Sequence, residues 1–461
     1  MSEAVIDGIH GALQEDQYVR PTDPTTLERL EWFQDQKLAL MMHWGIYSQV
    51  GMVESWALSD KDGDWSRGGV DWTDDMTEFK QTYHNLYKSF NPVRFEPEKW
   101  ADSAKDGGFK YLIFTTKHHD GFCMWDTKFS DYKITNTACP FHINKRADIV
   151  ANVFDAFRSR DLGIAAYFSK ADWNVSSYWA NNPLSGGFTS RGPSYNPLEN
   201  PEVWESFVKF THDQVLELVY DYGHIDILWF DAGWVCRQNN QDIRIEELVA
   251  KARKVQPWLL SADRTVGGEC ENYITPEQSV PSKPLSVPWE SCVSMGGGFA
   301  YSHDDNYKST KTLLRMLIDI VAKGGNLALN VAPQTDGRLP IPALKRMKEM
   351  GAWLRQYGDA IYGTRICAPY KVDNFSFTQK AAENKVFAIY TPDTSECEVA
   401  KDIAIPYNDK HVINVKNMTA NKDIPFTIKN GCICVSIEKL TLDENYGGEH
   451  IAEVFQLTVA G

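Results

Sequence analysis

The chain has 461 residues, 43% of them hydrophobic, with a formal net charge of −15 and a pI of about 5.2. That is enough apolar material for a full core and two or three domains, while the acidic balance repels phosphate backbones and anionic lipid, so nucleic acid and membrane surfaces are excluded as partners. No run reaches the roughly 18 apolar residues of a spanning helix, and nine scattered cysteines without a C-x-x-C motif exclude a disulfide framework or a zinc ribbon.

The N-terminus, Met-Ser-Glu-Ala-Val-Ile-Asp-Gly, lacks a basic segment followed by an apolar one. As the sequence stands, the expected compartment is cytoplasmic; removal of a signal peptide would make it periplasmic or secreted. Apolar runs ending in polar residues then recur along the chain: Leu38–His43, Lys110–His118, Ile164–Ser169, Asp226–Asp231, Trp258–Arg264 and Asn326–Asn330. Between them lie helical patterns at Glu98–Asp106 (stopped by Gly107-Gly108), Asp148–Arg160, Pro201–Tyr222, Ile245–Val255 and Lys308–Ala322. Strand, helix, strand at this spacing predicts parallel βαβ units. Six or more units with polar strand tips favour a closed (β/α)8-like barrel, of the TIM type, over an open sheet. The glycine-rich phosphate turn of a doubly wound sheet is missing. From residue 358 the pattern changes to short β-rich runs, Val386–Tyr390, Val412–Lys416, Phe426–Lys429 and Cys432–Glu438, separated by Asn-rich turns. The prediction is an α/β catalytic domain over 1–357 and a β-sandwich domain over 358–461.

The most informative stretch runs from Ile225 to Trp234. An apolar strand delivers Asp231 at its tip between Trp229 and Trp234, as a parallel α/β enzyme places a catalytic acid. Indole faces cover the apolar C–H face of a pyranose, which points to a sugar pocket. A lone Asp there is by default a helix cap or an inert strand end, but Arg264 ends the next strand-like run. A cation on the adjacent tip lowers a carboxylate's pKa, as a nucleophile requires. His118 and His119 follow another strand, and His43 ends a third. Their bland reading is as satisfied core histidines; their functional reading is as donors to sugar hydroxyls. Zinc held by His43, His118 and His119 lacks the usual i,i+4 spacing and a dedicated further ligand, so no metal and no cofactor is expected. For the partner acid, Glu277 and Glu290 both stand in loop-like sequence. Glu290 adjoins Trp289, where desolvation would raise its pKa as a general acid needs.

These residues fall into a known pattern. The chain resembles the glycoside hydrolase family 29 α-L-fucosidases from about Trp32 to Arg365. The motifs are Leu40–Ser48 (with His43-Trp44-Gly45), Phe90-Asn91-Pro92 with Phe95 and Trp100, Lys117–Phe122 with Trp125, Trp229–Trp234, Thr275–Glu277, Trp289–Cys292, Asn330–Pro340 and Gly358–Gly363. The resemblance implies a barrel followed by a β-sandwich, and an exo-acting, retaining double displacement on terminal α-L-fucosyl linkages. It makes Asp231 the nucleophile and assigns fucose binding to His43, His118, His119, Tyr167, Trp229 and Arg264, with Glu54 and Trp56 as a further binding element. Glu290 is preferred as acid/base and Glu277 is the alternative. The implied partner is a fucosylated glycan or small fucoside; a homo-oligomer stays open. A non-catalytic fucose-binding protein on the same fold is the alternative reading. Two departures stand out. The family's aromatic-rich segment after the Trp-Glu motif is Gly298-Phe299-Ala300-Tyr301 here, without tryptophan, and Ala232 replaces the commoner glycine after the nucleophile.

Overall fold

The computed structural model describes residues 15–59, 62–179, 191–392, 402–408, 411–437 and 450–460. Cys397 and Glu438, the last residue of the run predicted at Cys432–Glu438, lie outside the described residues.

Seven parallel strands form the barrel wall: β1 (Leu38–Met42), β2 (Tyr111–Lys117), β3 (Gly163–Ser169), β4 (Ile227–Asp231), β5 (Leu260–Asp263), β6 (Glu290–Ser294) and β7 (Asn326–Asn330). Their order is β5-β4-β3-β2-β1-β7-β6. Nearly every residue in them is buried on both faces, as a helix-covered parallel sheet requires. Between β5 and β6 the wall is completed by the irregular segment 271–278. Its bridges are antiparallel from Glu271 to Ala262 and parallel from Ile274 to Trp289 and from Glu277 to Cys292. This segment stands where an eighth strand would. The sequence reading put Glu290 in a loop; it is the first residue of β6. The polar run Glu-Ser-Cys-Val-Ser does not look like a core strand, and neighbours on both sides impose the conformation.

Helices Pro97–Asp106, Ile149–Arg158, Pro201–Asp221, Ile245–Arg253, Thr310–Ala322 and Ile341–Tyr357 cover the outside. Two of them start from side-chain caps. Asp148 accepts from the Ala151 amide and Ser309 from the Thr312 amide, satisfying donors that a helix start leaves open.

The second unit begins at β8 (Arg365–Val372). It continues with β9 (Phe375–Lys380), β10 (Lys385–Tyr390), β11 (Asp402–Ile405), β12 (Val412–Asn417), β13 (Lys422–Asp423), β14 (Phe426–Lys429), β15 (Cys432–Ser436) and β16 (Glu453–Val459). A six-stranded sheet, β13-β12-β16-β10-β9-β8, faces a three-stranded one, β11-β15-β14. The period-two alternation of β10 joins both cores. Val386 and Ala388 pack into the sandwich, while Phe387 and Ile389 pack into the barrel cluster. Arg315, on the helix before β7, ties the units further by donating to the carbonyls of Ile451 (3.0 Å) and Pro392 (2.6 Å).

Candidate active site

The C-terminal ends of the barrel strands converge on a cavity with about 420 Å³ of empty space, part of it open to solvent. Its lining includes His43, Glu54, Trp56, His118, Tyr167, Trp229, Asp231, Arg264 and Glu277. Met41, Trp234, Cys292 and Phe299 complete it. Asp231 is the last residue of β4 and Arg264 follows β5 directly. Adjacent strand tips bring the guanidinium to the carboxylate: Arg264 Nη1 donates to Asp231 Oδ1 at 2.9 Å. The same guanidinium donates through Nη2 to Glu277 Oε2 at 2.6 Å. Its face lies over the Trp229 ring at 4.8 Å, and Trp229 stacks on Tyr167 at 5.2 Å. One planar cation thus holds two of the pocket's three carboxyl groups, Asp231 and Glu277, in fixed relation.

Burial alone would raise the Asp231 carboxyl, but the Arg264 guanidinium and the Tyr167 hydroxyl, which donates to Oδ2, hold it well below the usual range. The group is an anion at any working pH, protected from water yet not neutralised.

The imidazoles are the opposite case. Burial lowers His43 and His119 to about 4 and His118 well below its ordinary value, so all three are neutral. Each is oriented by a partner at Nδ1: Asn330 Oδ1 at 2.8 Å for His43, Ser55 at 2.6 Å for His118 and Ser169 at 2.7 Å for His119. Asn330 spends its amide N–H on the Phe299 carbonyl (2.8 Å), and Ser169 donates to the Ala171 carbonyl (2.7 Å). Both therefore accept from their histidines, which leaves the Nε2 atoms of His43 and His119 as acceptors. The Nε2 of His119 is buried without a hydrogen-bond partner, 3.8 Å from Asp231 Oδ2. A lone pair facing a carboxylate in this way calls for a hydroxyl from a ligand.

His118 lines the cavity and His119, which does not, lies against Asp231 behind it; β2 breaks register with β3 between Thr115 and Lys117, just before the two histidines. Such a break in register changes which way the following side chains are aimed. Gly121 then turns the chain at φ 79°, where a Cβ would lie 2.3 Å from Asp172 Oδ1. Left-handed backbone recurs around the site at Glu54 (φ 40°), Ala232 (φ 65°), Thr265 (φ 67°) and Gln278 (φ 47°). The last three directly follow Asp231, Arg264 and Glu277. Ala232 thus occupies a conformation that favours glycine, so its replacement of glycine is not a neutral change.

Glu54 is 2% exposed, and its Oε1 has no hydrogen-bond partner. Burial, then the nearby charge of Glu277, pushes its carboxyl up to about 8. Glu290 is placed elsewhere. It does not line the cavity but lies at the start of β6, level with Asn326, two residues below Cys292 on the same strand face. At about 3.3 Å per residue, that is roughly 7 Å deeper in the barrel. It accepts from the Tyr111 hydroxyl and from Trp229 Nε1 (3.2 Å), and is fully buried. Burial raises it to about 7, as the sequence suggested, but in the barrel floor and under Trp229 rather than beside a substrate. The cavity brings Glu277, not Glu290, to the guanidinium that holds Asp231.

His118, His119 and Asp231 bring ligand atoms within 4.8 Å of one another, the one group of metal-ligand spacing among the described residues. His43 is not part of it. Asp231 already binds Arg264 and Tyr167, whose hydrogen bonds and charge compete with any cation. Sequence reasoning missed Ser55, Ser169 and Asn330, which orient the imidazoles. The only signal of Ser169 and Asn330 was polarity at a strand tip; Ser55 stands before the short helical turn Trp56–Leu58 and carried none.

The sequence profile of the α-L-fucosidases matches residues 9–359. The chain is 26% identical over 365 residues to the α-L-fucosidase of Dictyostelium discoideum, covering 75% of this chain and 73% of that one. It is 26% identical over 369 residues to the human plasma α-L-fucosidase (78% and 75%). Among solved structures, α-L-fucosidase isoenzyme 1 from Paenibacillus thiaminolyticus superposes with a TM-score of 0.75 at 27% identity, over 95% of this chain and 100% of that one. A Thermotoga maritima α-fucosidase in complex with fucose gives 0.72 at 25% identity, over 95% and 100%. With the profile spanning the barrel and every strand tip that builds the pocket, the chain belongs to the α-L-fucosidase family.

Proposed function

We propose that this protein is an exo-acting, retaining α-L-fucosidase in which Asp231 is the nucleophile and Glu277 the acid/base. The observation that carries the assignment is the shared guanidinium: Arg264 binds Asp231 at 2.9 Å and Glu277 at 2.6 Å on one wall of a closed-ended cavity. Retention needs two carboxyl groups roughly 5 Å apart, close enough for direct attack.

In the first step Asp231 attacks C1 of the fucoside, the glycosidic C–O bond breaks, and the departing oxygen takes a proton from Glu277. In the second, Glu277 removes a proton from water, whose oxygen attacks C1 and releases Asp231 and fucose. Arg264 keeps Asp231 ionised in the first step and takes it back as a leaving group in the second. The Nε2 atom of His43 accepts a hydrogen bond from a sugar hydroxyl, the partnerless Nε2 of His119 is open to a second, and Met41 and Phe299 provide apolar wall for the methyl group. Glu54 is the second reading for the proton source, because it is held protonated at neutral pH beside Glu277 with a free oxygen in the cavity.

The test is release of p-nitrophenol from the aryl α-L-fucoside by wild type and by Asp231→Gly, with the aryl β-D-galactoside as control. Fast release by wild type, on the fucoside only, is expected. Asp231→Gly should lose about 10⁴-fold or more in kcat, and azide should restore part of it as a β-fucosyl azide. Fucose binding without turnover in the wild type would leave the non-catalytic reading standing.

A further inference from the structure

We propose that Trp65 is the platform on which the ring of the leaving group lies, making it a specificity-determining residue for fucoside hydrolysis. The inference rests on the fucosidase reading above. If the cavity encloses the terminal sugar, whatever that sugar is attached to leaves through the mouth. An aromatic path runs from the cavity lining to the surface: Trp65 does not line the cavity but adjoins a tryptophan that does. Trp56 lines the cavity with its ring edge-on to His119 at 4.9 Å, and Trp65 follows it outward, the two indoles 6.2 Å apart.

Trp65 is 56% exposed. A single exposed tryptophan is ordinary, but this one is anchored. Its Nε1 donates to Asp62 Oδ1 at 3.2 Å. Asp62 is buried and gripped by Arg191 through Nε at 2.8 Å and Nη2 at 2.7 Å. The Arg191 guanidinium in turn covers the Trp56 ring at 5.0 Å. A fixed indole that leaves half its surface in water, next to a catalytic pocket, is preorganised for the C–H face of a pyranose or for an aryl ring. The segment Gly298–Tyr301 does not fill this role. Phe299 turns inward against His43 at 5.0 Å, and Tyr301 is only 9% exposed. The tryptophan missing from that segment is replaced by one from a different loop.

The test compares kcat/KM for wild type, Trp65→Ala and Trp65→Phe on three substrates: α-L-fucosyl fluoride, whose leaving group has no ring, p-nitrophenyl α-L-fucoside, and an α-L-fucosyl-galactose disaccharide. Trp65→Ala should lose about tenfold on both ring-bearing substrates, mainly through KM, and less than about twofold on the fluoride. Trp65→Phe should recover most of the loss. Retained fluoride turnover shows that the variant is folded. Equal losses on all three substrates, or no loss on either ring-bearing one, would overturn the proposal. A wild type inert toward all three would instead overturn the fucosidase reading, and this inference with it.

Discussion

The two ends of the barrel interior treat the same residue type in opposite ways. At the floor, Glu290 is fully buried and satisfied by Tyr111 and Trp229. At the rim, Glu277 is a quarter exposed and shares Arg264 with Asp231, and buried atoms such as Glu54 Oε1 and His119 Nε2 have no protein partner. Polar groups with all their bonds inside the protein build structure; polar groups short of a partner and aimed into a cavity await a ligand. A raised carboxyl pKa does not separate the cases, because burial raises both Glu290 and Glu54.

The comparison breaks most sharply on turnover. Glu277→Ala is expected to lose about 10²–10⁴-fold on fucosides with poor leaving groups and much less on activated aryl fucosides, the signature of a lost proton donor. Glu290→Gln should stay within about tenfold of wild type with no dependence on leaving group. The reverse pattern in a leaving-group series would return the acid role to the floor, and the same signature at Glu54→Gln alone would move it to Glu54.

Stability should sort the two glutamates the other way. Glu290→Ala strands the Tyr111 hydroxyl and the Trp229 N–H, at a cost of about 3 kcal/mol in urea unfolding. Glu277→Ala removes a partly exposed group and should cost about 1 kcal/mol or less.

A third handle is the pH dependence of stability set by Glu54. Its folded carboxyl keeps a proton to about pH 8, whereas the unfolded one loses it near 4.5. The raised folded value means that its contribution is complete below about 4.5 and is lost as pH rises toward 8, with a slope of about 1 kcal/mol per pH unit. Glu54→Gln should flatten the profile over that window; an unchanged slope would show that Glu54 is ionised in the folded chain.

The smallest expected effect is at Ala232. With φ at 65° beside the nucleophile, Ala232→Gly should stabilise the fold by about 1 kcal/mol in thermal unfolding, offset in part by glycine's freedom in the unfolded chain. A decrease in stability would show that the alanine methyl contributes packing that outweighs its backbone strain.

Much of this protein was legible in its residues alone. Apolar runs buried on both faces, helices stopped by glycine and polar strand tips follow from local hydrophobic patterning, so six strands and the placement of Asp231, Arg264, His43, His118 and His119 were predictable. The short polar strand β6 was not, because its conformation is imposed by β7 on one side and the 271–278 segment on the other rather than by its own residues. Tertiary structure alone could rank the two glutamates. Twelve residues of chain separate Glu277 from Glu290, but which one meets the cavity depends on strand register: Glu277 pairs with Cys292 at the rim, whereas Glu290 pairs with Asn326 at the floor. Register is a long-range property of the closed barrel, and neither glutamate's sequence neighbours carry it.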